Sequence, residues 1–224
     1  MSRQAVSLDV VIDVVCPWCF IGKRRLDQAI DLLEDDLDIS VTYRPFQLDA
    51  SLPPEGIPRR KYMLDKFGDP GRVAEVHARI EAVGTELGIP FAFERIETAP
   101  NTIDAHRIVR WAQAEGLGDE AVERLFSLYF LEGADLTSRD VLVAAAVEIG
   151  LDRDEVDVKF DEGTDVESIR AEIAYASSLG ITGVPCTIIA GRYAVSGAQT
   201  PDVLSDAIRQ VMAEIDRAEG GGDA

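Results

Sequence analysis

Two cysteines three positions apart, Cys16 and Cys19, flank Pro17 and Trp18 in the stretch VVCPWCFIGKRRL over residues 14–26. The pair lies at a seam. Before it, SLDVVIDVV (7–15) is β-branched and nearly unbroken in hydrophobicity, as in a strand buried on both faces. After it, Phe20, Ile21, Leu26, Ile30 and Leu33 recur at helical spacing, which predicts a helix to about Asp35. Cys16 then takes the N-cap, Pro17 the first helical position, and Cys19 follows one turn on, with both sulfurs on one side of the helix start. The unpaired N–H groups there favour an anion, here a thiolate at Cys16. Such a thiolate attacks a disulfide, and Cys19 resolves the mixed disulfide that results. Trp18 offers an apolar rim or ordinary packing. The competing reading is a zinc knuckle, for which only Cys186, His77 and His106 remain as further ligands. That set is short of the usual second C-x-x-C pair, so no metal is expected.

The elements that must hold this seam follow from periodicity. ISVTYRPFQL (39–48) reads as a second strand ending near Pro45, completing a βαβ unit. A Pro-rich connection, DASLPPEGIP (49–58), precedes more than a hundred largely helical residues. Helix candidates lie at 59–67, 71–88, 102–116, 119–133, 138–150, 153–160 and 165–180. Asn101 is placed to cap the third of these, and Thr164 with Glu167 has capping-box spacing before the last. Strand-like sequence returns over 183–197, turning at Gly191, and a last helix starts with Thr200 as N-cap and Pro201 at its first position. It runs out into a tail, EGGGDA, expected to fray. The fold class is α/β: a mixed sheet from β-α-β and later β-β-α, with a large all-α insertion. Residues 1–58 and 176–224 make the sheet domain, and 59–175 the helical one.

Composition narrows the partners. The 224 residues carry 22 Lys and Arg against 41 Asp and Glu, a net charge of −19, so neither nucleic acid nor an anionic membrane is expected to bind. With only Lys23, Lys61, Lys66 and Lys159 as lysines, the acidity also fits a protein kept soluble in strong salt; full stability in dilute buffer would sink that idea. Three cysteines, with no recognisable leader, read as reactive or buried thiols in a cytoplasmic protein rather than a disulfide scaffold. Dimerisation through exposed helical faces is open.

DVVCPWCFIGKRRL, YRPFQL, PNTIDAHRIVRWA and GVPCTIIAGRYAVSGAQ together resemble the thioredoxin superfamily, and within it the FrnE-like branch of the DsbA family. The resemblance implies a thioredoxin-like fold and a cytoplasmic thiol–disulfide oxidoreductase acting on protein or small-molecule thiols and disulfides. By position, Cys16 is the nucleophile, Cys19 the resolving cysteine, and Pro185 a cis-proline beside them. A cis Val184–Pro185 bond would turn the Val184 backbone toward the C-x-x-C helix start, where a substrate could pair as a short added strand. No bound cofactor is implied beyond the Cys16–Cys19 disulfide, with glutathione as reductant or co-substrate. The branch is also similar to 2-hydroxychromene-2-carboxylate isomerases and kappa-class glutathione transferases, which generally carry serine where this chain has Cys16. A glutathione-dependent isomerase or transferase is therefore the alternative, and a non-enzymatic metal or chaperone-like module a third.

Several further residues have two readings each. Cys186, after the proline, is a small buried thiol or a third redox group. Asp13 is a hydrogen-bonded strand residue or a buried proton relay to Cys19. His106 lines the cleft or is a satisfied structural histidine. Lys23, with Arg24, adds positive potential near Cys16 or forms a solvated face. Phe46, Leu48 and Pro53 wall the groove or belong to the core.

Overall fold

The structure, a computed structural model, describes residues 3–220. The tail expected to fray from Glu219 falls, past Gly220, outside the described residues. In chain order, β1 (Gln4–Ile12) leads through α1 (Pro17–Asp31) to β2 (Leu37–Pro45). A short β3 (Ile57–Pro58), α2 (Arg59–Phe67), α3 (Pro70–Glu86) and β4 (Thr98–Ala99) follow. Then come α4 (Ile103–Ala114), α5 (Gly118–Ser127), α6 (Arg139–Glu148), α7 (Arg153–Asp161) and α8 (Val166–Ser178). The chain ends through β5 (Cys186–Ile189), β6 (Tyr193–Ser196) and α9 (Pro201–Gly220).

Four strands form one mixed sheet in the order β2-β1-β5-β6. β1 runs parallel to β2, with Ile12 opposite Pro45, and antiparallel to β5, with Val11 opposite Cys186. Its alternation explains its centrality. Leu8, Val10 and Ile12 enter the main core with Phe20 and Leu26 of α1 and Ile208 of α9. Val11 faces the other way, into a smaller cluster with Phe46, Ala176 of α8 and Cys186. Val10, Val11 and Ile12, at the C-terminal end of β1, are buried on both faces and account for the nearly unbroken apolar pattern read from the sequence, while Ser7 is exposed and Asp9 half-buried. β3 and β4 pair in a small second sheet that the Pro-rich run 49–58 does not announce.

Several boundaries differ from expectation, each for a local reason. The first strand stops at Ile12, not Val15, because residues 13–16 turn: the Cys16 N–H donates to the Asp13 carbonyl at 2.9 Å. α1 stops at Asp31 rather than Asp35. Glu34, Asp35 and Asp36 would otherwise crowd negative charge onto its C-terminal carbonyls. β2 occupies 37–45, not 39–48; Pro45 has no N–H to continue the ladder, though the Phe46 N–H still reaches the Ile12 carbonyl at 2.8 Å. The single helix read over 119–133 is α5 plus a π-helical segment, Leu128–Glu132. That segment seats Phe130 against Phe20, whose ring also stacks on Phe126 at 5.0 Å, and so ties α1 to the helical half.

The Thr164–Glu167 capping box does not form. Asp165 is the N-cap of α8, at φ 67°, and its carboxylate accepts from Trp111 Nε1 at 2.9 Å, Ser168 and Arg110. Thr102 is the backbone N-cap of α4, with the Asn101 side chain accepting from the Ile103 N–H at 3.1 Å. Lys23 is not on a solvated face. It is 4% exposed, with Asp27 at 3.0 Å and Asp119 at 2.8 Å, because α5 lies across α1. Arg24 pairs with Glu123 of the same helix.

Candidate active site

The N-terminus of α1 is built as its sequence demands. Cys16 is extended (φ −93°, ψ 112°) with Pro17 directly behind it in the first turn. Its carbonyl accepts from the Cys19 N–H at 2.9 Å, while its side chain makes no cap bond and is free for other partners. The Cys16 thiol instead lies 3.6 Å from the Val184 carbonyl, 168 residues away in sequence, at the head of β5. The Val184–Pro185 peptide bond is cis. Pro185 sits against Gly22 in the second turn of α1: a Cβ at Gly22 would stand 2.8 Å from the proline Cγ. The Gly197 N–H, donating to the Pro185 carbonyl at 2.8 Å, holds the proline from the other side.

Cys19 is fully buried, and all three cysteines are thiols. Burial, then the hydrogen bond and charge of the Cys16 sulfur, push the Cys19 thiol well above its usual range. A backbone hydrogen bond from Asp13 opposes the shift, and the charge of its carboxylate adds to it. Cys19 is thus a proton-bearing partner of Cys16, which is itself buried at 4% exposure.

Asp13 is 1% exposed. Its Oδ2 accepts from the Leu48 N–H at 2.8 Å, and its Oδ1 has no hydrogen-bond partner. His106 Nε2 lies 3.6 Å from that Oδ1 and 2.9 Å from the Phe46 carbonyl, so the imidazole sits behind Asp13 and away from the opening. In front is a cavity of about 290 Å³. Asp13, Cys16, Pro17, Trp18 and Val184 line it from the sheet side, and Arg59, His77 and Tyr129 from the helical side. Leu48 joins this wall; Phe46 does not, and belongs to the small core under β5. Leu52 lines it in place of Pro53.

Cys186 lies on the opposite face of the sheet, 2% exposed among Val11, Phe46 and Ala176. Burial raises its thiol, against a hydrogen bond from Ser196. Among the described residues, no group of three His, Cys, Asp or Glu side chains is arranged to hold a metal ion. No described helix is long and apolar enough to cross a membrane.

Gly22, Arg59 and Tyr129 carry no site role in the sequence pattern, and His77 enters it only as a possible zinc ligand. Only Gly22 carried a signal. A glycine inside an amphipathic helix lowers its stability and asks for a packing reason. The others come from separate helices, and only the tertiary fold brings them together.

The family model of the DSBA-like thioredoxin domain matches residues 7–209. The uncharacterized protein YwbO of Bacillus subtilis (strain 168) is 30% identical over 207 residues, covering 92% of this chain and 96% of that protein. A crystal structure of a probable DsbA oxidoreductase from Streptomyces coelicolor superposes with a TM-score of 0.85 at 26% identity, over 93% of this chain and 91% of that one. The cytosolic disulfide reductase DsbM of Pseudomonas aeruginosa, solved with GSH, superposes at 0.65 and 19% identity, over 92% and 99% of the two chains.

Proposed function

This chain belongs to the DSBA-like thioredoxin domain family, and on that footing we propose that it is a thiol–disulfide oxidoreductase working through Cys16 and Cys19. The observation that carries the reading is the asymmetry of the pair. One sulfur opens onto a cavity, and the other lies fully buried beneath it with its proton held. The Cys16 thiolate attacks a substrate sulfur, and the substrate S–S bond breaks as the Cys16 mixed disulfide forms. Cys19 then gives up its proton and attacks Cys16, releasing the second substrate thiolate. Asp13, whose Oδ1 is unpartnered and whose charge acts on Cys19, accepts that proton. His106, its Nε2 taken by the Phe46 carbonyl, packs behind Asp13 as a structural histidine. Pro185 and Gly22 fix Val184 beside the attacking sulfur. The helical residues 59–175 act as an insertion in a thioredoxin-like domain formed by the two flanking segments, and supply the far wall of the cavity.

The same reading makes the protein cytoplasmic and FrnE-like, with glutathione or another thiol returning the pair to its reduced state. Support comes from the small, odd number of cysteines, three, and from a structural neighbour described as cytosolic and solved with GSH. A partly open, largely apolar cavity beside Cys16 also suits a glutathione-dependent isomerase or transferase, which is the second reading. Redox titration in glutathione buffers, with mass spectrometry of the cysteines, separates the two. A reversible Cys16–Cys19 couple is expected. Catalysis that survives Cys19→Ser but requires glutathione would replace the dithiol mechanism with the second reading.

A further inference from the structure

Arg59 is a buried cation that the dithiol mechanism does not use. It is 8% exposed, at the start of α2. Its Nη1 donates to Tyr129 Oη at 2.9 Å, and its guanidinium carbon lies 5.7 Å from the Phe93 ring centre and 5.6 Å from that of Tyr129. Among the described residues no carboxylate pairs with it. The other buried arginine shows what is usual: Arg107 holds Asp104 at 2.7 Å and the carbonyls of Thr164 and Lys159. In a chain with 41 acidic residues, a mostly buried guanidinium without an acid stands apart, and its nitrogens that lack a protein partner are open to a ligand.

We propose that the cavity beside Cys16 is a subsite for a small, largely apolar disulfide bearing a carboxylate, with Arg59 as the partner of that carboxylate. The proposal rests on the dithiol reading above and names its substrate class. At about 290 Å³ the cavity lies near the lower end of small-ligand pockets, the size of a substituted ring rather than a polypeptide loop. Leu48, Met63, Phe93 and Val184 line it between the thiol of α1 and the guanidinium of α2. Lys66 lines it too, and its Nζ donates to the Tyr62 hydroxyl at 3.3 Å, with no carboxylate paired to it among the described residues. Of the two acids in the wall, Asp13 accepts from the Leu48 N–H through one oxygen and keeps the other for the proton of Cys19, and Asp49 accepts from the Ser51 N–H. Tyr129 donates to the Thr98 carbonyl at 3.1 Å and accepts from Arg59, which leaves the remaining guanidinium N–H groups for a ligand.

The reaction balances without an added reductant in one turnover. Cys16 attacks the nearer sulfur, the far half departs as a thiolate, and the near half remains on Cys16. Cys19 passes its proton by way of Asp13 to the departing sulfur, attacks Cys16 and frees the second half. One disulfide becomes two thiols as the protein dithiol becomes a disulfide.

The test uses the reduced protein, meta-dithiodibenzoate and its neutral isostere meta-dithiodibenzamide, each rate normalised to that with dithiothreitol. The carboxylate compound is expected to react roughly ten- to hundredfold faster, the worth of a charge-assisted hydrogen bond. The ratio should fall to about one in Arg59→Met and be partly kept in Arg59→Lys. If those variants do not fold, the wild-type protein decides: benzoate, and not benzamide, should slow iodoacetamide capture of Cys16, and equal effects overturn the proposal. A wild-type ratio near one, with both disulfides reduced, overturns the subsite and leaves the dithiol reading standing. Reduction of neither overturns both. Glutathione disulfide reacting faster than the benzoate compound overturns the apolar-carboxylate assignment.

Discussion

Gly22→Ala sets two opposed effects against each other at the site. In a helix interior the change is favourable by about 1 kcal/mol, because alanine loses less backbone freedom than glycine. Here the new methyl carbon would lie 2.8 Å from Pro185 Cγ, about 0.6 Å inside the 3.4 Å at which ordinary contact begins, and 3.6 Å from Ala198 Cβ. Neither neighbour yields easily. The proline ring is rigid and its carbonyl is held by Gly197, while α1 is fixed through Phe20 to Phe126 and Phe130. Overpacking of this kind costs about 1–3 kcal/mol, so a net loss of up to about 2 kcal/mol is expected. The shift falls between Cys16 and Val184, so the mixed-disulfide step should slow as well. Urea unfolding of the reduced protein gives the first quantity through its midpoint, provided the slope is unchanged. Single-turnover reduction of a small disulfide gives the second. A midpoint raised by the full propensity gain, with the wild-type rate, would refute the close-approach argument.

Three further outcomes are expected. Because burial and Cys16 raise the Cys19 thiol, its contribution to stability is present below the ordinary thiol value near 8.5 and is lost as pH rises through the higher folded value; alkylation mapped by mass spectrometry should therefore mark Cys16 alone at neutral pH, and early marking of Cys19 would contradict this. Asp165 is buried enough to raise its carboxyl, yet hydrogen bonds from Trp111, Ser168 and Arg110 win and lower it, so its stabilisation is present above about pH 3.9 and fades as pH falls through the folded value. Asp165→Gly, which keeps the left-handed backbone, should then be about 1 kcal/mol more stable than Asp165→Ala, with equal chemical denaturation curves counting against it. Lys23→Met should cost about 1–3 kcal/mol, less than a fully buried pair, because Asp119 and Asp27 are 59% and 38% exposed and water can take up their charge; an unchanged unfolding midpoint would show the ion pairs to be idle.

The layout was legible where periodicity and punctuation agree. β1, α1 and β2 follow from a switch between buried-strand and helical patterns at a C-P-W-C seam, and α2 occupies the expected 59–67. Less was legible where tertiary contact overrides local preference. Nothing near Asp165 announces that it, and not Thr164, starts α8; that depends on Trp111 and Arg110 of another helix. Lys23 reads as a surface lysine until α5 brings Asp119 across it. Of the site, Cys16 and Cys19 stand in one motif, whereas Arg59 and Tyr129 converge from segments seventy positions apart and share no local pattern.

The central place of β1 has a consequence for the chain as it is made. Its parallel neighbour β2 ends at Pro45, but its other neighbour, β5, begins only at Cys186. At about 5–20 residues per second, a ribosome takes on the order of ten seconds to deliver the stretch between them. Through that interval one edge of β1 has no partner, and the Val184 carbonyl that will stand beside Cys16 does not yet exist. A nascent chain therefore carries the same two thiols without their enclosure, open to any oxidant or neighbouring cysteine in reach. Newly made and finished molecules should differ in which disulfides they form, and the long detour through the helices sets how long the difference lasts.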